Sequence, residues 1–215
     1  MEVLSEPLGR WTQLNHQNIA DVLGGFVRAD GIPSVISAWY SNGNISDFLK
    51  KNNDVDRELL LYQVAQGLTY LHGQGPAIVH CNLKPNNILI DEDSNSRLGD
   101  IGILGFLESS TRGKKLFGRQ GDVRWTAPEV LEGGSRTTAS DIYAFGCLAL
   151  VILKDRLPFR HLDSDVSIAK AIYEGELPVS DIEARELHPT WRLCYARNPA
   201  SRPTMKAVLE SLSLW

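Results

Sequence analysis

The 215-residue sequence predicts an α+β fold in which two short strands precede a larger, mainly helical part. Residues 22–27 and 33–40 are rich in apolar and β-branched side chains, and the turn signal Ala29-Asp30-Gly31 separates them. After residue 40 the apolar side chains recur mainly at helical spacing. We therefore expect a small, strand-containing part over residues 1–40, opening with a short helix, and a helical part over residues 41–215.

The clearest helix is predicted from about residue 56 to residue 72. Asp54 or Asp56 can cap its start, and Gly73 or Gly75 can end it. Apolar side chains three and four positions apart form one face of this helix, which predicts that this face is buried: Leu60, Leu61, Val64, Ala65, Leu68 and Leu71.

Further helices are expected at about 139–153, 165–174, 186–196 and 203–212. Between the helices lies a polar middle segment, roughly 76–135, with short strands expected at 87–90 and 97–99. Because loops held by a helical scaffold commonly carry functional residues, this middle segment is the expected place for a site.

Composition excludes several classes of protein. The net charge of -4 argues against a nucleic-acid surface, and the longest apolar run, residues 144–153, is too short to span a bilayer. The three cysteines show no pairing or metal-ligand spacing, which favours free thiols in a reducing compartment. We expect a cytoplasmic protein with no membrane segment and no nucleic-acid partner.

Several short motifs occur in a fixed order along almost the whole chain: HCNLKPNNILI (80–90), Asp100-Ile101-Gly102, Ala127-Pro128-Glu129, SDIYAFG (140–146) and NPASRPTM (198–205). In this order they resemble the catalytic domain of the protein kinase superfamily, and RWTAPE resembles the tyrosine-kinase-like group of Ser/Thr protein kinases. The resemblance implies a kinase-like fold. Residues 1–40 would be a remnant of the small β-lobe and hinge, and residues 41–215 would be the helical C-lobe.

The resemblance places Asn82 where the family has its catalytic aspartate. An amide can orient a hydroxyl group but cannot accept its proton, and general-base assistance is typically worth ~10²–10⁴-fold in rate. Lys84 is the second residue that the family pattern assigns to catalysis, because it could reach the transferring phosphate. Its alternative interpretation is an ordinary exposed lysine.

The resemblance also implies Mg-ATP as cofactor. Asn87 and Asp100 stand at the two positions that bind the metal ions, although Asn87 can also be read as a turn residue before a strand. Ala38 and Tyr40 lie in the segment that resembles the link between the lobes, where the nucleotide binds. Asp47 stands where the family contacts the ribose or substrate, and its alternative role is that of a helix-start carboxylate.

Other positions depart from the family pattern. Cys81 replaces the arginine that pairs with a phosphorylated activation loop, and nothing before residue 80 matches G-x-G-x-x-G or V-A-I-K. The position of the helix glutamate falls on Pro7, beside Glu6. We therefore expect poor nucleotide affinity and an exposed apolar strand face. Either another chain covers that face, or the sequence is part of a longer one.

Two further predictions concern structure. Glu129 and Arg202 resemble the family's buried ion pair. Asp141 is expected to accept hydrogen bonds from the backbone of the catalytic loop, with stabilisation of a helix N-terminus as the alternative.

The first functional hypothesis is a pseudokinase, a catalytically impaired kinase-like domain that acts as a binding or scaffold module for a protein partner. The alternative is a Ser/Thr protein kinase, transferring phosphate from ATP to protein hydroxyls, of which the sequence is an incomplete copy. A nonfunctional fragment is the third.

Overall fold

The computed structural model describes residues 9–27, 33–102, 122–180 and 189–212. Two antiparallel pairs of strands and seven α-helices lie within these ranges, and residues 9–11 are also helical, which confirms the predicted α+β fold class. In chain order the elements are β1 (Val22–Val27), β2 (Pro33–Ser37), α1 (Ile45–Lys51), α2 (Arg57–His72), β3 (Ile88–Ile90), β4 (Ser96–Leu98), α3 (Pro128–Leu131), α4 (Thr138–Lys154), α5 (Asp165–Glu174), α6 (Pro189–Cys194) and α7 (Met205–Leu212).

Strands β1 and β2 form a hairpin that packs Val22 and Val35 against the helical core. The strand predicted to reach Tyr40 ends at Ser37, because β1 begins at Val22 and offers no further strand residue for pairing. As the sequence predicts, other apolar side chains of this hairpin are exposed: Leu23, Phe26 and Ile36.

Helix α2 is the centre of the core and packs against α4, α7 and β4. Of the two possible caps, Asp56 is the one used: its carboxylate accepts a hydrogen bond of 2.8 Å from the N–H of Leu59. Gly73 ends the helix, and the N–H of Gly73 donates to the carbonyl of Thr69 at 3.0 Å. The apolar face predicted from the sequence is buried throughout.

The contact between α2 and β4 depends on a glycine. A Cβ atom at Gly67 would lie 2.7 Å from the carbonyl oxygen of Asn18 and 2.9 Å from Cδ1 of Leu98. Any larger residue would therefore push the helix away from the strand that precedes Asp100.

Helix α4 begins with a capping box, in which Thr137 and Ser140 exchange hydrogen bonds between side chain and backbone. It extends over 17 residues and is buried over most of them, which confirms the helix predicted at 139–153. The capping box fixes its first turn, and that turn carries Asp141.

Some predicted boundaries are wrong by one or more residues. Asn87 belongs to a 3-10 turn (Pro85–Asn87) rather than to strand β3, and β4 starts at Ser96 rather than Arg97. Helix α7 starts at Met205, because the Thr204 hydroxyl accepts a hydrogen bond from the N–H of Ala207 at 3.3 Å and so caps the first turn.

Helix α6 is shorter than the predicted 186–196. It ends at Cys194, since the next two N–H groups, of Tyr195 and Ala196, bond to carbonyls three residues back and tighten the last turn. Residues 186–188 of that prediction, like Glu6 and Pro7, lie outside the described residues. No helix in the described ranges is both long and apolar enough to cross a membrane.

Candidate functional site in the 80–102 segment

Asp141 fixes the backbone at the start of the 80–90 loop. Its side chain is 2% exposed and accepts hydrogen bonds from the N–H groups of His80, at 2.7 Å, and Cys81, at 3.0 Å. The Nε2 atom of His72 lies 3.0 Å from the same carboxylate. The structure thus confirms that Asp141 holds the loop backbone.

His80 lies fully buried at the base of the loop. Burial lowers the pKa of His80, although the nearby Asp141 carboxylate opposes this change. Its Nδ1 atom accepts a hydrogen bond of 3.4 Å from the N–H of Asn82, so the neutral ring carries its proton on Nε2, which has no hydrogen-bond partner among the described residues. The ring supports the loop as a neutral group.

Asn82 and Asn87 are joined directly. The Asn87 side-chain amide donates a hydrogen bond of 2.7 Å to the backbone carbonyl oxygen of Asn82, and Asn87 is 6% exposed. This bond uses the NH₂ group of Asn87 and leaves its Oδ1 atom without a hydrogen bond within the described residues. The structure therefore brings the predicted catalytic position and a predicted metal ligand together.

The segment around Asp100 is hydrogen-bonded to the same loop on both sides. The N–H of Gly99 donates to the carbonyl of Asn87 at 2.8 Å, and the N–H of Gly102 donates to the carbonyl of His80 at 2.9 Å. Asp100 itself is exposed and has a left-handed backbone conformation, with φ of 52°. Its carboxylate accepts no hydrogen bond from the described residues.

Lys84 is neither free nor fully exposed. Its ammonium group lies 2.6 Å from Oδ1 of Asp122, and its side chain is only 12% exposed, against 32% for Asp122. The alternative interpretation of Lys84 as an ordinary exposed lysine is therefore wrong. Asp122 was not singled out from the sequence, because 38 residues separate the two partners and no local pattern links them.

The short 3-10 turn at Asp122–Trp125 is anchored to the helical part of the chain. Arg124 donates hydrogen bonds to the carbonyls of Pro158, Phe159 and Leu162 at 2.6, 2.9 and 2.7 Å. The Thr126 hydroxyl also bonds to the carbonyl of Asp122 at 3.0 Å. The turn that carries Asp122, the partner of Lys84, is thus held in place by these hydrogen bonds.

The two predicted nucleotide contacts at 38–40 lie just after strand β2. The N–H of Ala38 donates to the carbonyl of Asp21 at 3.0 Å, and the Tyr40 hydroxyl accepts from the N–H of Asp21 at 3.2 Å. The guanidinium of Arg97 stacks 5.7 Å from the centre of the Tyr40 ring. The side chain of Tyr40 is therefore already engaged, and its contact with a nucleotide stays a prediction.

Asp47 lies in the first turn of α1, where Asn44 is the cap. The Asn44 side chain accepts from the N–H of Asp47 at 3.0 Å and donates to the Asp47 carboxylate at 2.9 Å. This hydrogen bond from Asn44, helped by Lys50, holds the pKa of Asp47 below its usual value. The geometry matches the helix-start role, and a role in ligand binding stays a prediction.

Cys81 occupies an unusual backbone conformation. Its φ is 70°, in the left-handed region that side chains other than glycine rarely adopt, and its thiol donates to the carbonyl of Val79 at 3.4 Å. The two hydrogen bonds that Asp141 accepts from residues 80 and 81 stabilise this conformation.

The predicted ion pair between Glu129 and Arg202 is present. Both terminal nitrogens of the guanidinium bond to the two carboxylate oxygens at 2.7 Å, and the Arg202 side chain is fully buried. Arg202 also donates to the carbonyls of Ala139 and Ala196 at 2.8 and 2.9 Å. The pair connects α3 with the segment before α7, and the bond to Ala139 ties this segment to the start of α4.

The oxygen atoms of Asn87 and Asp100 fit Mg²⁺, a cation that prefers amide and carboxylate oxygens. The Oδ1 atom of Asn87 accepts no hydrogen bond from another described group. The backbone hydrogen bond between Gly99 and Asn87 holds the segment of Asp100 next to Asn87, and the Asp100 side chain is exposed. In the described residues no three His, Cys, Asp or Glu side chains cluster to form a separate metal site.

Comparisons with known proteins agree with this geometry. The family model for protein tyrosine and serine/threonine kinases matches residues 3–212. The chain belongs to the protein kinase superfamily.

Individual relatives carry the same class of name. The chain is 31% identical over 94% of its length to a protein of Acanthamoeba polyphaga mimivirus named "Putative serine/threonine-protein kinase/receptor". It is 30% identical over 94% of its length to a probable serine/threonine-protein kinase of Dictyostelium discoideum. It is 27% identical over 97% of its length to receptor-interacting serine/threonine-protein kinase 1 of Homo sapiens. The chain spans 12%, 19% and 34% of the lengths of these three relatives.

Proposed function

We propose that this chain is a pseudokinase, a kinase-like domain that transfers phosphate slowly or not at all and serves as a binding or scaffold module. The observation that carries the proposal is Asn82, whose backbone is hydrogen-bonded to His80 and Asn87 in the 80–90 loop. The family resemblance assigns this position to the catalytic aspartate. Its amide oxygen can accept a hydrogen bond from a hydroxyl group and orient it, but it does not take up the proton. In this proposal, residues 1–40 are the small-lobe remnant and hinge, and residues 41–215 are the C-lobe.

The ion pair of Lys84 supports the same proposal. A lysine that stabilises a transferring phosphate must direct its ammonium group toward that phosphate. Here Asp122 neutralises the ammonium at 2.6 Å, and the side chain is largely buried. Lys84 would have to leave this carboxylate before it could act on a phosphate.

Asn87 and Asp100 are the residues that would hold Mg²⁺ with ATP, and Ala38, Tyr40 and Asp47 are the proposed nucleotide contacts. When bound, the metal ion neutralises charge on the phosphate oxygens. The chain's own contribution is to fix the Asn87 side chain through the Asn82 carbonyl and to keep the Asp100 carboxylate exposed. Mg-ATP binding is a separate part of the proposal and requires its own test.

A Ser/Thr protein kinase, which transfers phosphate from ATP to protein hydroxyls, is the second candidate. The intact pair of proposed metal ligands favours it, as do the names of the relatives. Under this candidate some other group accepts the proton that Asn82 does not.

The proposed partner or substrate is a protein. We also propose a cytoplasmic location. The three cysteines, Cys81, Cys147 and Cys194, support it, because all are buried and none forms a disulfide, as is usual in a reducing compartment.

The test compares phosphate transfer from Mg-ATP to a generic Ser/Thr protein substrate by the unaltered chain, by Asn82→Asp and by Asn86→Asp. The third variant adds the same charge at an exposed position in the same loop. We expect little or no product from the unaltered chain or from Asn86→Asp. The proposal would be contradicted if the unaltered chain transferred phosphate at a measurable rate and as fast as Asn82→Asp. A thermal shift with Mg-ATP, measured on the same three proteins, reports nucleotide binding separately.

A further inference from the structure

A cavity of about 590 Å³ opens on the helical part of the chain, and no residue of the 80–102 segment lines it. Its buried lining residues include Tyr143, Ile172 and Tyr195, all at most 4% exposed. The hydroxyl of Tyr195 donates to the carbonyl of Gly146 at 2.7 Å, so its proton is already used within the chain. We call this space the Tyr195 cavity. Its volume is that of sites that take a small ligand or one or two side chains.

The charged side chains that line the Tyr195 cavity differ in whether another described residue contacts them. Glu176 is paired with His161 at 2.8 Å, and Arg197 is paired with Glu132 at 2.7 Å. Arg192 also lines the cavity and is exposed, and no described residue forms an ion pair or hydrogen bond with its side chain. Within the described part of the chain, Arg192 is therefore the charged lining residue without a partner, and its guanidinium is available to an acidic group.

Apolar and aromatic side chains continue this surface beyond the cavity. Leu193 is a lining residue and is 49% exposed. Tyr173 is 68% exposed and is held in place by Arg197, which bonds to its carbonyl at 2.6 Å and stacks 5.8 Å from its ring centre. Tyrosine and arginine side chains arranged around a pocket are typical of the energetically dominant centre of a protein interface.

We infer that the Tyr195 cavity docks a segment of a partner protein that inserts one apolar side chain and places an Asp or Glu carboxylate next to Arg192. The cavity selects the apolar side chain, because Ile172 and Tyr195 line it and the Tyr195 hydroxyl already donates its proton to Gly146. Arg192 selects the acid, since a carboxylate can accept hydrogen bonds from two N–H groups of one guanidinium at once. A peptide segment is favoured over a small ligand because the exposed Leu193 and Tyr173 extend the apolar surface past the cavity mouth.

This inference rests on the proposed role of the chain as a binding module, and it locates that role on a surface separate from Asn82. The probe is a phage-displayed library of random 12-residue peptides selected on the unaltered chain without nucleotide. The expected selected sequences share an apolar residue with a neighbouring Asp or Glu. A synthetic peptide of that sequence should bind at least about tenfold more weakly to Arg192→Glu and to Leu193→Asp.

Lys206→Glu is the matched control, because Lys206 is exposed on α7 and does not line the cavity. It makes the same charge change and should leave peptide affinity unchanged, and circular dichroism should show that all three variants are folded. Arg192→Lys should keep part of the affinity.

Selected peptides without an acidic residue would overturn the inference, and so would equal binding to the unaltered chain and Arg192→Glu. A failure to select any binding peptide would also overturn it. Phosphate transfer by the unaltered chain would overturn the pseudokinase proposal but would leave the peptide result as it stands, so the two failures are distinguishable.

Discussion

The replacement of Asp141 by asparagine tests how the catalytic-loop backbone is held. The carboxylate of Asp141 accepts hydrogen bonds from two backbone N–H groups, of His80 and Cys81, and faces Nε2 of His72 at 3.0 Å. An asparagine side chain would keep the shape of the aspartate but would have one acceptor oxygen instead of two. Its NH₂ group would then point at a donor, and at least one buried N–H would lose its partner.

The expected cost follows from these contacts. A hydrogen bond to a charged group contributes about 1.5–3 kcal/mol, and the loss of a partner for a buried donor adds about 1–3 kcal/mol. Because the bonds of one carboxylate are not independent, we expect a total loss of about 3–5 kcal/mol in the free energy of unfolding. The free energy of unfolding of a typical domain is only about 5–15 kcal/mol, so a domain with Asp141→Asn should be barely stable.

The assay is equilibrium unfolding in urea, with Asp163→Asn as the control. Asp163 is exposed and no described residue pairs with it, so that variant should unfold at the same urea concentration as the unaltered chain. The reasoning would be refuted if Asp141→Asn lowered the free energy of unfolding by less than about 1 kcal/mol while its dependence on urea concentration stayed unchanged. The hydrogen bonds of Asp141 would then contribute no more than ordinary surface contacts.

Two further predictions concern the helical part and the buried histidine. Glu129→Gln leaves the fully buried Arg202 without a counter-charge and should cost about 3–5 kcal/mol in urea unfolding, whereas Glu132→Gln, in an exposed pair, should cost less than about 1 kcal/mol. Because burial lowers the folded-state pKa of His80, only the unfolded chain gains a proton there as pH falls below about 6.5. The stability that His80 contributes is therefore present above that pH and is lost below it, and His80→Leu should flatten the stability profile between about pH 7.5 and 5.5.

Each of these predictions has a contrary outcome. Equal losses for Glu129→Gln and Glu132→Gln would mean that the burial of Arg202 does not strengthen its ion pair. An unchanged pH profile in His80→Leu would mean that other groups, among them His16, whose pKa burial also lowers, account for the loss of stability at low pH.

The sequence predicts the long elements well. The face of α2 and the extent of α4 follow from apolar spacing and capping residues, and both are confirmed. Short elements are less predictable, since the four residues of α3 contain little more than one turn, and one turn cannot show a repeating pattern. The end of β2 depends on where its partner strand begins, and that information lies at residue 22, not at residue 40.

The candidate site is partly predictable for a similar reason. Spacing along one loop brings Asn82 and Asn87 together, and the structure joins them by a hydrogen bond. The contact of Lys84 with Asp122 depends on how a distant turn is anchored by Arg124, so no local pattern reveals it. The cavity around Tyr195 is likewise formed by segments between residues 128 and 197 that only folding brings together.

The most direct test of the pseudokinase proposal is the rate of phosphate transfer from radiolabelled Mg-ATP to a protein substrate by the unaltered chain, compared with Asp100→Ala. Asp100 is a proposed metal ligand, and its exposed side chain makes no contact that the fold requires in the described residues. The account predicts that the two proteins give the same background signal. Transfer by the unaltered chain at a rate that Asp100→Ala abolishes would contradict it and would establish an active kinase.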